Sequence, residues 1–162
     1  CTAPSKTFNL AGLQISNIFI PNENLRKAFK AEIDKTGYDE PNALGVVACE
    51  AAYRAGEDWL EQLRAYLLKN LNFLRDFLQE KIPQIHLVEP EGTYLVWLDC
   101  SELGITGKEL DQFIVDKAGL WLDGGSMFGP RGAAFQRVNI ACPQATLELA
   151  LNKLKAAVDN LK

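Results

Sequence analysis

The stretch FQRVNIACP, Phe135 to Pro143, alternates polar and apolar residues from Arg137 to Ile140 before it meets a proline. Successive side chains of a strand point to opposite faces, so Val138 and Ile140 fall on one side and Arg137 and Asn139 on the other. The pattern predicts a strand over Phe135–Ala141, its apolar side toward a core and its guanidinium on the polar side. Pro143 then precedes a final helix whose Leu147, Leu151, Leu154, Val158 and Leu161 lie on one stripe.

Working back toward the N-terminus, TYLVWLD (Thr93 to Asp99) reads as a second strand. TGKELDQFIVDKAG reads as a helix with Thr106 and Glu109 in capping-box positions. GLWLDGG leads from there into the glycine-rich GGSMFGPRGAAF. Strand, helix, strands and helix predict a small α+β layer in which helices cover one face of a sheet.

The preceding half is more helical. GLQISNIFIP, Gly12 to Pro21, is rich in Ile and Phe between Gly and Pro and reads as a buried strand. Asn22 is placed to cap a helix over Glu23–Lys35 that Gly37 closes. Pro41 and Asn42 open a second helical run to Gly56. From Glu57 to Ile82 the chain predicts its longest helix, with Leu60, Leu63, Leu67, Leu71, Leu74 and Leu78 stepping by three or four and Pro83 ending it. That stripe reads as core packing rather than a coiled-coil seam. A boundary inside or just after this helix divides the chain into 1–56, a connecting helix 57–82 and a small domain 83–162.

The totals exclude several classes of function. The 162 residues are 48% hydrophobic and 23% charged, enough for one sizeable core, and the net charge of −4 offers no basic footprint for nucleic acid. No apolar run approaches the ~20 residues that cross a bilayer, and nothing at the start has the form of a signal peptide. Cys1, Cys49, Cys100 and Cys142 are far apart, with no metal-ligand spacing, and read as reduced thiols of a cytoplasmic protein. His86 is the only histidine and reads as structural or surface-lying.

Three features carry potential chemistry. A guanidinium on a rigid strand suits bidentate capture of a carboxylate, and Arg137 meets that description as well as that of a surface ion pair. The loop GGSMFGPRG has four glycines in nine residues but matches neither nucleotide-binding glycine motif; it reads as a loop at a cleft edge, with Arg131 a solvated charge. Lys6, in APSKTFNLAG, has small neighbours that let a ligand approach; a desolvated lysine there could form a Schiff base with a carbonyl. Composition alone does not separate that role from an ordinary ammonium.

The order of the segments does. APSKTFNLAGLQ, then PEGTYLVWLD, then GSMFGPRGAAFQRVNIACP and an amphipathic last helix resemble the C-terminal portion of fold-type I pyridoxal-phosphate enzymes. Within the class I/II aminotransferase superfamily the chain is most similar to the MalY/PatB type of C–S lyases, the cystathionine beta-lyase branch. The resemblance implies an α/β fold with an α+β small domain, residues 1–56 being the end of a large cofactor-binding domain. It implies that Lys6 is the Schiff-base lysine for pyridoxal 5′-phosphate and that Arg137 binds the substrate α-carboxylate. Ser5 is implied as a phosphate ligand, Thr2 as a weaker one, and Tyr94 as a border of the substrate cleft; no metal is implied.

Such residues imply a beta-elimination giving thiol, pyruvate and ammonia, with Lys6 as anchor and base. An aminotransferase would use the same Lys6 and Arg137, and a non-catalytic module with the small-domain fold is the reading from another class. Many aminotransferases of the superfamily carry an arginine eight residues after the lysine; here that position is Gln14, and the next arginine is Arg26. The family's phosphate loop, ring-stacking aromatic and acidic partner of the pyridine nitrogen precede the lysine. The chain is therefore expected to be the back half of a usually homodimeric enzyme, to bind the cofactor poorly by itself and to self-associate through uncovered apolar surface.

Overall fold

The computed structural model describes residues 1–38 and 40–161. The chain divides into two compact units, Cys1–Leu63 and the residues from Arg64 onward, and the division falls inside one long helix.

In the first unit, Pro at its first position starts the short helix α1, Pro4–Thr7, where a missing N–H costs nothing. Helix α2, Glu23–Thr36, begins where the Asn22 side chain accepts a hydrogen bond from the Leu25 amide at 3.0 Å and ends at Gly37 in the left-handed conformation. Helix α3, Ala43–Ala55, starts in the same way, with Asn42 accepting from the Leu44 amide at 3.0 Å, and Gly56 follows it. Helix α4 runs from Glu57 to Lys81.

The run Gly12–Pro21 is not the buried strand that its composition predicts. Ala11–Leu13 form a 3-10 turn, Gln14 is left-handed with φ of 52°, and Phe19 is 73% exposed. A single antiparallel bridge joins Thr2 to Asn17, through amide-to-carbonyl bonds of 2.9 and 2.7 Å. A strand requires a ladder, and the left-handed Gln14 interrupts the extended run before one can form.

The second unit is built around a four-stranded antiparallel sheet: β1 His86–Val88, β2 Leu95–Asp99, β3 Asp123–Gly124 and β4 Phe135–Asn139, in the order β1-β2-β4-β3. The register pairs Val88 with Trp97, Trp97 with Arg137, and Arg137 with Asp123, so these four residues form one row across the sheet. Val96, Leu98 and Ile140 point the other way, into a core shared with α4, α5 (Lys108–Asp116) and α6 (Gln144–Asp159). The later part of the leucine stripe behaves as predicted, with Leu67 and Leu71 partly buried against this core and Leu74 and Leu78 fully inside it, while Leu60 and Leu63 are half-buried outside it. Each such leucine contributes roughly 1.5–3 kcal/mol of transfer free energy.

The start of α5 differs from the sequence reading. Gly107, with φ of 57°, takes the cap position, and no side chain caps the helix. Its amide donates to the Ala133 carbonyl at 2.7 Å, so tertiary contact with the glycine-rich segment fixes the helix start and Thr106 stays exposed.

Two buried polar residues tie the layers together. Asn70, on α4, donates to the carbonyls of Ile140 at 2.8 Å and Cys142 at 2.9 Å, holding the end of β4 against the helix. Gln136 donates to Asp111 Oδ1 on α5 at 2.7 Å. The Tyr66 hydroxyl accepts from the Gln144 amide at 2.9 Å, supplying one of the partners that the start of α6 lacks.

Candidate active site

Lys6 lies on α1, exposed, with no hydrogen bond or ion pair among the described residues. Its helix is fastened two residues on. The Phe8 ring meets Tyr53 edge-on at 5.4 Å and stacks on Trp59 at 6.2 Å, while the Phe8 amide closes the helix on the Pro4 carbonyl at 2.9 Å. This packing requires a glycine between α3 and α4. A Cβ at Gly56 would stand 2.6 Å from the Phe8 ring and 2.4 Å from the Ala52 carbonyl oxygen. Downstream, the Leu13 carbonyl approaches α3 so closely that a Cβ at Gly45 would lie 2.9 Å from it. The lysine thus projects from a segment pinned at Phe8, Leu13 and Asn17. Ser5 is half-buried beside it, and Thr2 is exposed with its backbone bridged to Asn17; Gln14 is exposed.

Arg137 lies in the second unit, on β4 and on the sheet face opposite the helices. Its Nε and Nη2 both donate to Asp123 Oδ2, at 3.1 and 2.6 Å. Its Cζ lies 4.6 Å over the Phe128 ring, a cation–π contact. Phe128 in turn meets Trp97 edge-on at 5.1 Å, and Trp97 meets Phe135 at 6.5 Å. The guanidinium is therefore held on one edge by a carboxylate and on one face by a ring, and Nη1 makes no hydrogen bond among the described residues.

The glycine-rich loop is folded rather than loose. It makes two 3-10 turns, Gly125–Phe128 and Pro130–Gly132, closed by a backbone approach in which a Cβ at either Gly125 or Gly132 would lie 2.2 Å from the other's carbonyl oxygen. Gly125 and Gly132 serve that contact, whereas Gly124 leaves room for the Asp111 carboxylate and Gly129 takes a φ of 128°. The loop, Trp97, Phe135 and Val88 line an open, mostly apolar groove of about 520 Å³, with Arg131 on its wall.

The remaining sequence candidates lie elsewhere. Tyr94 is half-buried against the helix-side core, its carbonyl accepting from the Ile140 amide at 2.9 Å, and it does not join the Arg137 cluster. His86 Nε2 lies 2.9 Å from Glu102 Oε1 in an exposed pair. All four cysteines are free thiols; burial, reinforced by Asp99, pushes Cys100 up to about 12, and burial also raises Cys142. Among the described residues no group of acidic, His and Cys side chains could hold a metal ion. Asp123, Phe128 and Trp97 were not singled out from the sequence. The alternation that placed Arg137 on the polar face equally places Trp97 there, but no local signal pairs β3 with β4.

A Schiff-base cofactor needs an accessible, unpaired primary amine, and an amino-acid substrate needs a cation with an open donor edge. Lys6 and Arg137 meet these two requirements, so the residues present fit pyridoxal phosphate chemistry.

The model of the aminotransferase class I and II family matches residues 1–154, and the chain belongs to that family. Within it, the chain is 42% identical over 158 residues to cystathionine beta-lyase PatB of Bacillus subtilis, covering 98% of this chain and 41% of that protein. Protein MalY of Escherichia coli is 32% identical, with 97% of this chain and 40% of MalY covered. The crystal structure of cystalysin from Treponema denticola, which contains a pyridoxal 5′-phosphate cofactor, superposes with a TM-score of 0.95 at 37% identity, over 99% of this chain and 41% of cystalysin. The chain thus spans about 40% of the length of the relatives it matches.

Proposed function

We propose that the protein to which this chain contributes is a pyridoxal-phosphate-dependent C–S beta-lyase, splitting a thioether amino acid into a thiol, pyruvate and ammonia. The observation that carries the reading is the 42% identity to a cystathionine beta-lyase over nearly the whole chain, with Lys6 exposed and unpaired on a pinned segment. Residues 1–56 are read as the end of the large domain, 57–82 as the connecting helix and 83–162 as the small domain. The intact enzyme is read as a cytoplasmic homodimer.

Bound pyridoxal phosphate supplies the electron sink for the negative charge that develops at the substrate Cα. Lys6 Nζ is the amine that would hold the cofactor, and as a free amine it would serve as the base for the substrate Cα proton. Ser5, and more weakly Thr2, would contact the phosphate. Arg137 would hold the α-carboxylate through its open edge.

An aminotransferase is the second reading, favoured by the family model itself. Incubating the full-length protein with L-cystathionine separates the two: a lyase releases pyruvate and thiol together without any added keto acid. Amino transfer that depends on a keto acid and yields no pyruvate overturns the lyase reading.

A further inference from the structure

We propose that Asp123 is a positioning residue that also weakens the grip of Arg137, so that the site favours substrates with a single negative charge. The inference rests on the reading of Arg137 as the carboxylate-binding residue. Asp123 and Arg137 are register partners on β3 and β4, and one carboxylate oxygen, Oδ2, receives both Nε and Nη2. The Nε–Nη2 edge, which would otherwise receive a ligand carboxylate as a two-pronged pair, is occupied from within the chain. With Phe128 on one face of the guanidinium, an incoming carboxylate is left the edge bearing Nη1.

The pair has an electrostatic consequence. Arg137 and Asp123 together are neutral, so a bound carboxylate leaves the cluster with a net charge of about −1, whereas against a lone guanidinium it would be neutralised. Arg137 is 25% exposed at its side chain and Asp123 43%, so the repulsion is screened but not abolished. Two charges some 6 Å apart at an effective dielectric between protein and water alter an equilibrium by about three- to tenfold. A ligand with a second carboxylate that no amine balances meets the same repulsion again, whereas each carboxylate of cystathionine is accompanied by an amine. Asp123 thereby exchanges binding strength for orientation and for selectivity against dianions.

Two thioether probes without an amino group test this on the full-length protein at fixed ionic strength: 3-(methylthio)propionate, a monoanion, and 3,3′-thiodipropionate, a dianion. Binding is followed by the Arg137 side-chain Nε–H resonance, assigned through Arg137→Lys, and folding by circular dichroism. Asp123→Asn keeps an oxygen that accepts from Nε and Nη2 while removing the charge. It should tighten the monoanion about three- to tenfold and the dianion by more. Asp123→Ala, which removes the charge and also opens the Nε–Nη2 edge to the ligand, should bind the monoanion at least as tightly as Asp123→Asn. Unchanged or weaker binding in Asp123→Asn, or an equal gain for both probes, overturns the proposal. Neither probe requires the cofactor, so failure to detect lyase turnover leaves this result standing, and turnover with unaltered Asp123→Asn affinities rejects this inference alone.

Discussion

The guanidinium of Arg137 lies 4.6 Å from the centre of the Phe128 ring, and that ring is buttressed edge-on by Trp97, the residue opposite Arg137 on β2. The strand supplies the charge, the glycine-rich loop the ring, and the neighbouring strand the support. Phe128→Leu keeps the apolar volume but loses the cation–π attraction, about 0.5–1 kcal/mol at a site open to water. Binding of 3-(methylthio)propionate should weaken about two- to fivefold, read by the Arg137 resonance. Equal affinity in the variant would show that the ring does not hold the guanidinium.

Gly56→Ala should destabilise the first unit by about 1–3 kcal/mol, because the added methyl group meets both the Phe8 ring and the Ala52 carbonyl within 2.6 Å. Urea denaturation followed by Trp59 fluorescence measures it. The same substitution should disturb Lys6, since α1 is held through Phe8. A midpoint within error of the parent would mean that the Phe8 packing is not specific.

Cys100 provides a pH test. Its folded-state value is raised from 9.0 to about 12 by burial, with Asp99 adding to the effect, whereas the unfolded thiol ionises near the ordinary value. The protonated thiol therefore stabilises the fold fully below about pH 9, and that contribution is lost as pH rises toward 12, at roughly 1 kcal/mol per pH unit. The difference in unfolding free energy between the parent chain and Cys100→Ala should shrink between pH 8 and pH 10.5. A pH-independent difference would contradict the assignment.

The elements legible in the sequence are those whose cause is local. Asn22 and Asn42 cap helices because their side chains reach amides two or three residues away, and the leucine stripe of α4 follows from helical spacing alone. Pro143 and the alternation in FQRVN likewise mark a helix start and a strand. What was misread depends on distant partners. The apolar run after Gly12 has the composition of a strand but only the Thr2–Asn17 bridge as a ladder, and Thr106 loses the cap because Gly107 bonds Ala133. Asn70 carries no local signal of its role, which arises only because β4 brings the carbonyls of Ile140 and Cys142 to it.

The candidate site divides in the same way. Lys6 was marked by segment order and Arg137 by strand alternation, whereas Asp123 and Phe128 become its partners only through sheet order and a loop closed by Gly125 and Gly132.

The central claim, that Lys6 carries the cofactor, is tested most directly by reducing the full-length protein with borohydride in the presence of pyridoxal phosphate and mapping the pyridoxyl group by peptide mass spectrometry. The account predicts a single labelled peptide containing Lys6, stoichiometric with protein, and no stoichiometric label in Lys6→Ala. A stoichiometric label on another lysine, or label spread over exposed lysines such as Lys27 and Lys35 with Lys6 no more reactive than they are, would contradict it.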